Sequence, residues 1–134
     1  MFHRQRCRID GEMPLADCAA LVARVWADYR PGAAPPRVTP GFLARSATGD
    51  RSRVNLPRWA RQEAVVLHET AHSLQPYGTA WHGPEFIRLF IELLVRYHRP
   101  CRGQRAHLLR TARAARIKVG RLHDCPKPQR RMVR

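Results

Sequence analysis

Apolar residues return every three or four positions from Pro14 onward. Leu15, Cys18, Val22, Val25 and Tyr29 make one stripe, which Leu21 and Trp26 widen. Residues 14–29 are therefore predicted to form an amphipathic helix packed by that face. Pro14 suits the first turn, where its missing N–H costs nothing. Residues 31–36, Pro-Gly-Ala-Ala-Pro-Pro, end the helix and stiffen the connection. The period then shortens to two. Residues 37–39, 41–46 and 51–56 read as strands, with the turn at Ala47-Thr48-Gly49-Asp50, which gives a hairpin or small antiparallel sheet. Arg51, Arg53 and Asn55 alternate with Ser52, Val54 and Leu56, consistent with one wet and one packed face.

Helical periodicity resumes at Pro57 and runs to about Leu74. Trp59, Ala60, Ala64, Val65, Val66 and Leu67 make the first half of this helix apolar on several sides, so it belongs in the middle of the domain. Gln75-Pro76-Tyr77-Gly78 terminates it. The next helix starts at His82-Gly83-Pro84-Glu85-Phe86 and ends near Arg99-Pro100. Phe86, Phe90, Leu93, Leu94 and Tyr97, with Ile87 and Ile91 beside them, make it largely buried. A final helix is expected over about 103–118. Leu108, Ala112 and Ala115 lie on one side; Arg102, Arg105, Arg113 and Arg116 lie on the other, with Leu109 interrupting. The fold class is α+β, a small antiparallel sheet on a central helix with flanking helices. Residues 1–118 are expected to form one domain and 119–134 a basic, disordered tail.

Composition sharpens this. At 134 residues the chain suits one domain with a modest core. No run of about 18 apolar residues occurs, so no membrane span is expected. The basic N-terminus lacks an apolar segment and cleavage site, so a signal peptide is not expected. Cys7, Cys18, Cys101 and Cys125 are widely spread and read as free thiols, which favours the cytoplasm. The formal charge of +15 is unevenly placed: residues 96–134 hold thirteen Arg or Lys against one acid, Asp124. Such a basic end has the electrostatic character of a nucleic-acid contact. Arginine supplies 23 of the 25 basic residues, so GC-rich coding is the competing explanation.

Candidate chemistry lies on the central helix. His68-Glu69-Thr70-Ala71-His72 is a His-Glu-x-x-His pattern, and residues four apart share a helix face, so His68 and His72 can reach one metal ion. Glu69 projects about 100° away from His68, which suits a general base acting on a water at the metal. Polar groups inside an apolar helix are costly without partners, and a metal supplies one. Catalytic zinc usually takes three protein ligands and leaves a position for water. The third-ligand candidates are His82, Glu85 and His98. His82 follows directly after a loop folding back from the first ligand helix; Glu85 also suits a helix start; His98 is expected at the surface. Tyr77, Tyr97 and His98 are candidates to stabilise an oxyanion.

Val65-Val66-Leu67-His68-Glu69-Thr70-Ala71-His72, with the later His82-Gly83-Pro84-Glu85-Phe86, resembles the SprT-like and related zincin metallohydrolases, and most resembles small actinobacterial and phage members of unassigned substrate. The resemblance covers roughly residues 35–118. It implies a zincin-like fold, one Zn2+ ion held by His68, His72 and His82, and Glu69 as the general base. It also implies a peptide or protein substrate, hydrolysed by a water that Glu69 deprotonates before passing the proton to the leaving amine. An edge strand of the small sheet could pair with an extended peptide. The metzincin spacing does not fit, and Cys101 and Cys125 are too isolated for the zinc ribbon of some SprT-like proteins. The expectation is a cytoplasmic zinc metallopeptidase that acts on nucleic-acid-associated proteins through its basic end. The alternatives are a zinc hydrolase of a non-peptide substrate and a non-enzymatic nucleic-acid-binding protein with a structural metal.

Overall fold

In the computed structural model, residues 11–41 and 46–129 are described. They divide into two units, one reaching Leu74 and including the residues from Lys127, the other Gln75–Pro126. Among the described residues are four α-helices and a small three-stranded sheet.

In the first unit the stripe after Pro14 forms α1, Leu15–Tyr29, and buries Cys18, Leu21, Val22, Val25, Trp26 and Tyr29. Spacings of three and four place these six on one face, which packs on α2, Glu63–Leu74, and on β1, Arg37–Thr39. The sheet order is β1-β3-β2, with β2 at Thr48–Gly49 and β3 at Arg53–Asn55. It is mixed where an antiparallel sheet was expected: β2 runs antiparallel to β3, but β1 pairs with β3 in parallel. The expected turn at 47–50 contains β2, and the reversal falls just after it. There Asp50 Oδ1 accepts bonds from the backbone N–H groups of Ser52 (2.8 Å) and Arg53 (2.9 Å), an Asx-type turn. β3 carries Val54, and Leu56 follows it, both fully buried, so it takes the centre. One reversal on each side of β2 then leaves β1 and β3 pointing the same way. Thr39 Oγ1 donates to Asn55 Oδ1 across that parallel pair at 2.7 Å. Of the expected strand at 41–46, residues 42–45 lie outside the described residues.

The central helix starts at Glu63 and not at Pro57. A separate 3-10 turn, Arg58–Ala60, precedes it. Arg61 holds the chain in this bent path, donating to the carbonyls of Leu56 (3.1 Å) and Pro40 (3.0 Å). Ala60 is buried beneath the turn while Trp59 stands 54% exposed, contrary to its expected burial. Beyond Glu63 every residue of α2 is buried except His68. Thr70 and Ser73 are both hydrogen-bonded within the first unit. Thr70 Oγ1 donates to the Val66 carbonyl, and Ser73 Oγ accepts from Trp26 Nε1 at 2.9 Å while donating to the Thr70 carbonyl.

The second unit is built on α3, Pro84–Tyr97, whose buried residues include Phe86, Leu89, Phe90, Leu93, Leu94 and Tyr97. Pro84 occupies its first turn as expected. A 3-10 turn, Arg99–Cys101, follows, then α4, Arg105–Ala114. Leu108 and Ala112 are buried; Ala115, expected beside them, is exposed because the helix has already ended. Arg105 clamps Glu92 of α3 from α4, with its shortest contact at 2.6 Å, and Arg88 reaches both Glu92 and the Gly120 carbonyl. Gly120 also donates to the Pro84 carbonyl at 2.7 Å. In the segment expected to be a disordered tail, Leu122–Asp124 forms a 3-10 turn and Cys125 is buried. Residues 130–134 of that tail lie outside the described residues. Among the described residues no helix is long and apolar enough to cross a membrane.

Candidate metal and catalytic site

The first unit brings together three of the four expected site residues. His68 and His72, one helical turn apart on α2, place their ring centroids 5.0 Å apart with an interplanar angle of 74°. His72 is 4% exposed and His68 is the one residue of its stretch that reaches the surface. Two imidazoles at this spacing, on a buried helix, are a donor set suited to zinc. Glu69 is 7% exposed, and its Oε2 lies 4.0 Å from His68 Nε2. Burial in these apolar surroundings pushes its carboxyl up to about 7. The cause is loss of hydration, which penalises the charged form. A carboxyl in that range can take and release a proton near neutral pH.

Strand β2 lies against this helix. A Cβ on Gly49 would overlap the backbone carbonyl oxygen of Glu69, so glycine allows the close approach. Among the described residues β2 is an edge of the sheet. A cavity of about 190 Å³ opens beside the pair and is lined by Trp59, Val65, His68 and Glu69. Neither Gly49 nor Trp59 was legible as a site residue: the first reads as a turn glycine, the second as part of an apolar helix.

His82 belongs to the second unit, exposed and directly ahead of α3. The loop that delivers it is braced: Gln75 Nε2 donates to the Ala80 carbonyl, Thr79 Oγ1 to the Pro76 carbonyl, and Gly83 N–H to the Ala80 carbonyl. The His82 ring also meets Phe86 edge-on at 5.2 Å between centroids. Glu85 is half-buried in the first turn of α3, where an acid favours the helix dipole. His98, expected at the surface, is fully buried at the end of α3, and Tyr97 is 3% exposed. Both are unavailable to a substrate. Tyr77 stands 86% exposed.

Comparison with protein-family models, with curated proteins and with solved structures returns no match to this chain.

Proposed function

We propose that the chain is a zinc-dependent hydrolase of peptide bonds, with His68, His72 and His82 holding one ion and Glu69 serving as the general base. The observation that carries this reading is the buried carboxyl of Glu69, 4.0 Å from His68, beside a cavity and next to two histidines of one helix face. When bound, the zinc would supply Lewis acidity and lower the pKa of a water. Glu69 accepts the proton of the attacking water and delivers it to the leaving amine. Burial raises its proton affinity in the metal-free protein, which suits a group that must hold a proton before passing it on. The edge of β2 beside Glu69 suits an extended peptide, which would add to the sheet through main-chain hydrogen bonds.

The substrate proteins are proposed to be associated with nucleic acid. Arg102, Arg110, Arg113 and Arg116 are exposed on and around α4, a phosphate-facing surface whose binding should weaken steeply with salt. Retention on DNA or RNA that is insensitive to truncation after Val119 and to charge reversal on α4 would return the arginine excess to coding bias.

The metal reading is tested by measuring zinc content and casein or peptide cleavage in wild type, Glu69→Gln and His82→Ala. Glu69→Gln should keep its zinc and lose about 10²–10⁴-fold in rate. His82→Ala should lose zinc. No zinc in freshly purified wild type overturns the proposal. Zinc retained with no effect of Glu69→Gln on any activity favours a structural metal.

A further inference from the structure

Trp59 is held outward by a turn whose other members are tied down. Ala60 is fully buried, and its N–H donates to the Pro57 carbonyl at 2.8 Å. Arg58 pairs with Glu12 at 3.0 Å, Arg61 is bonded to two carbonyls, and Gln62 Nε2 reaches the Trp59 carbonyl at 3.3 Å. The backbone is thus positioned on both sides of an indole that keeps about half its surface in water. A tryptophan left this way forgoes much of the burial that makes it valuable in a core. It lines the same cavity as Val65, His68 and Glu69. Val65 lies one turn ahead of His68 and is 6% exposed, so the cavity floor belongs to the helix that carries the reacting groups.

We propose that Trp59 and Val65 form a subsite seating one large apolar side chain of an extended peptide, next to the bond that Glu69 helps to cleave. This rests on the hydrolase reading above and supplies its substrate class. Size decides between kinds of ligand. Sites that enclose a whole small molecule run to about 300–1,000 Å³, and at about 190 Å³ this cavity holds a single side chain of something larger. Chemistry decides between side chains. Among the described lining residues Trp59 and Val65 are apolar, and they make the wall that a side chain would meet. An aromatic or leucine-like side chain gains contact with the indole face at low entropic cost to the protein, because the turn carrying Trp59 is already ordered.

The test uses end-blocked peptides of glycine and alanine with one variable residue (Phe, Leu, Ala, Arg or Asp), so that the large residue sets the register. Binding to zinc-loaded Glu69→Gln is measured by calorimetry, and cleavage by wild type is measured in parallel. Phe and Leu peptides should bind about tenfold or more tightly than the Ala peptide. Adding Trp59→Ala should abolish that preference, while Trp59→Phe should keep most of it. A preference that is absent from Glu69→Gln, that survives Trp59→Ala, or that favours Arg overturns the subsite. A Phe preference in binding without cleavage by wild type sinks the hydrolase reading and leaves the subsite standing; cleavage without any side-chain preference does the reverse.

Discussion

Replacing Glu69 by glutamine should make the metal-free protein more stable at pH 8 and change little at pH 5. The carboxyl is buried and its proton affinity is raised from an ordinary value of 4.5 to about 7. A group whose folded pKa lies above its unfolded one stabilises the fold fully below the unfolded value. That contribution is lost as pH rises from the unfolded value through the folded one, the range in which the folded state holds a proton that the unfolded state has released. At about 1.4 kcal/mol for each tenfold change in proton affinity, the loss between pH 4.5 and pH 8 is about 3 kcal/mol. Glutamine has a similar shape and never ionises, so this component disappears. Urea titrations of chelator-treated wild type and Glu69→Gln at pH 5, 6, 7 and 8 would measure it. The stability difference should grow by about 3 kcal/mol, which is roughly 1–3 M in urea midpoint for a slope of about 1–3 kcal/mol per molar. Subtracting the two proteins removes every other titrating group they share. Saturating zinc should shrink the difference, since a nearby cation favours the carboxylate. Parallel stability profiles from pH 5 to pH 8 would refute the account of Glu69 as a carboxyl desolvated by the fold.

Three other outcomes follow from single side chains. Gly49→Ala should lower the unfolding free energy by about 1–3 kcal/mol, as overpacking does, because its Cβ has no room against the Glu69 carbonyl; a urea midpoint equal to wild type would contradict that contact. Arg116→Gly should raise stability by up to about 1 kcal/mol in thermal or urea unfolding, because Arg116 holds a left-handed φ of 58° where α4 closes through Ile117 N–H to the Ala112 carbonyl. The same change should weaken nucleic-acid retention, which separates its two effects. Burial pushes the Cys18 thiol up to about 11, so iodoacetamide at pH 8 should leave Cys18 unmodified in the native protein and label it in urea, read by peptide mass mapping.

The helices and the pairing of His68 with His72 on one helix face were legible in the sequence because both are local. A three-and-four period names the buried face of α1, and a four-residue step puts His68 and His72 on one side of a helix whatever surrounds it. The N-terminus of α3 was legible for the same reason: Pro84 and Glu85 suit a first turn by their own backbone and charge. What the sequence could not decide was burial and neighbourhood wherever distant segments compete for space. His98 is polar and sits at a helix end, which reads as surface, yet it is fully buried there. Trp59 is apolar and precedes an apolar run, which reads as core. Arg61, bonded to carbonyls at positions 40 and 56, instead diverts the chain into a turn that leaves the indole outside. The parallel pairing of β1 with β3 depended on where a three-residue turn fell, and on two buried side chains, Val54 and Leu56, claiming the centre. Gly49 looked like a turn residue until the helix backbone lay against it. Periodicity therefore determined which residues form the elements and offered the candidate metal-binding pair. Only tertiary contacts, which no local pattern encodes, decided that Glu69 lies buried beside that pair with a glycine strand against it and a tryptophan at its cavity.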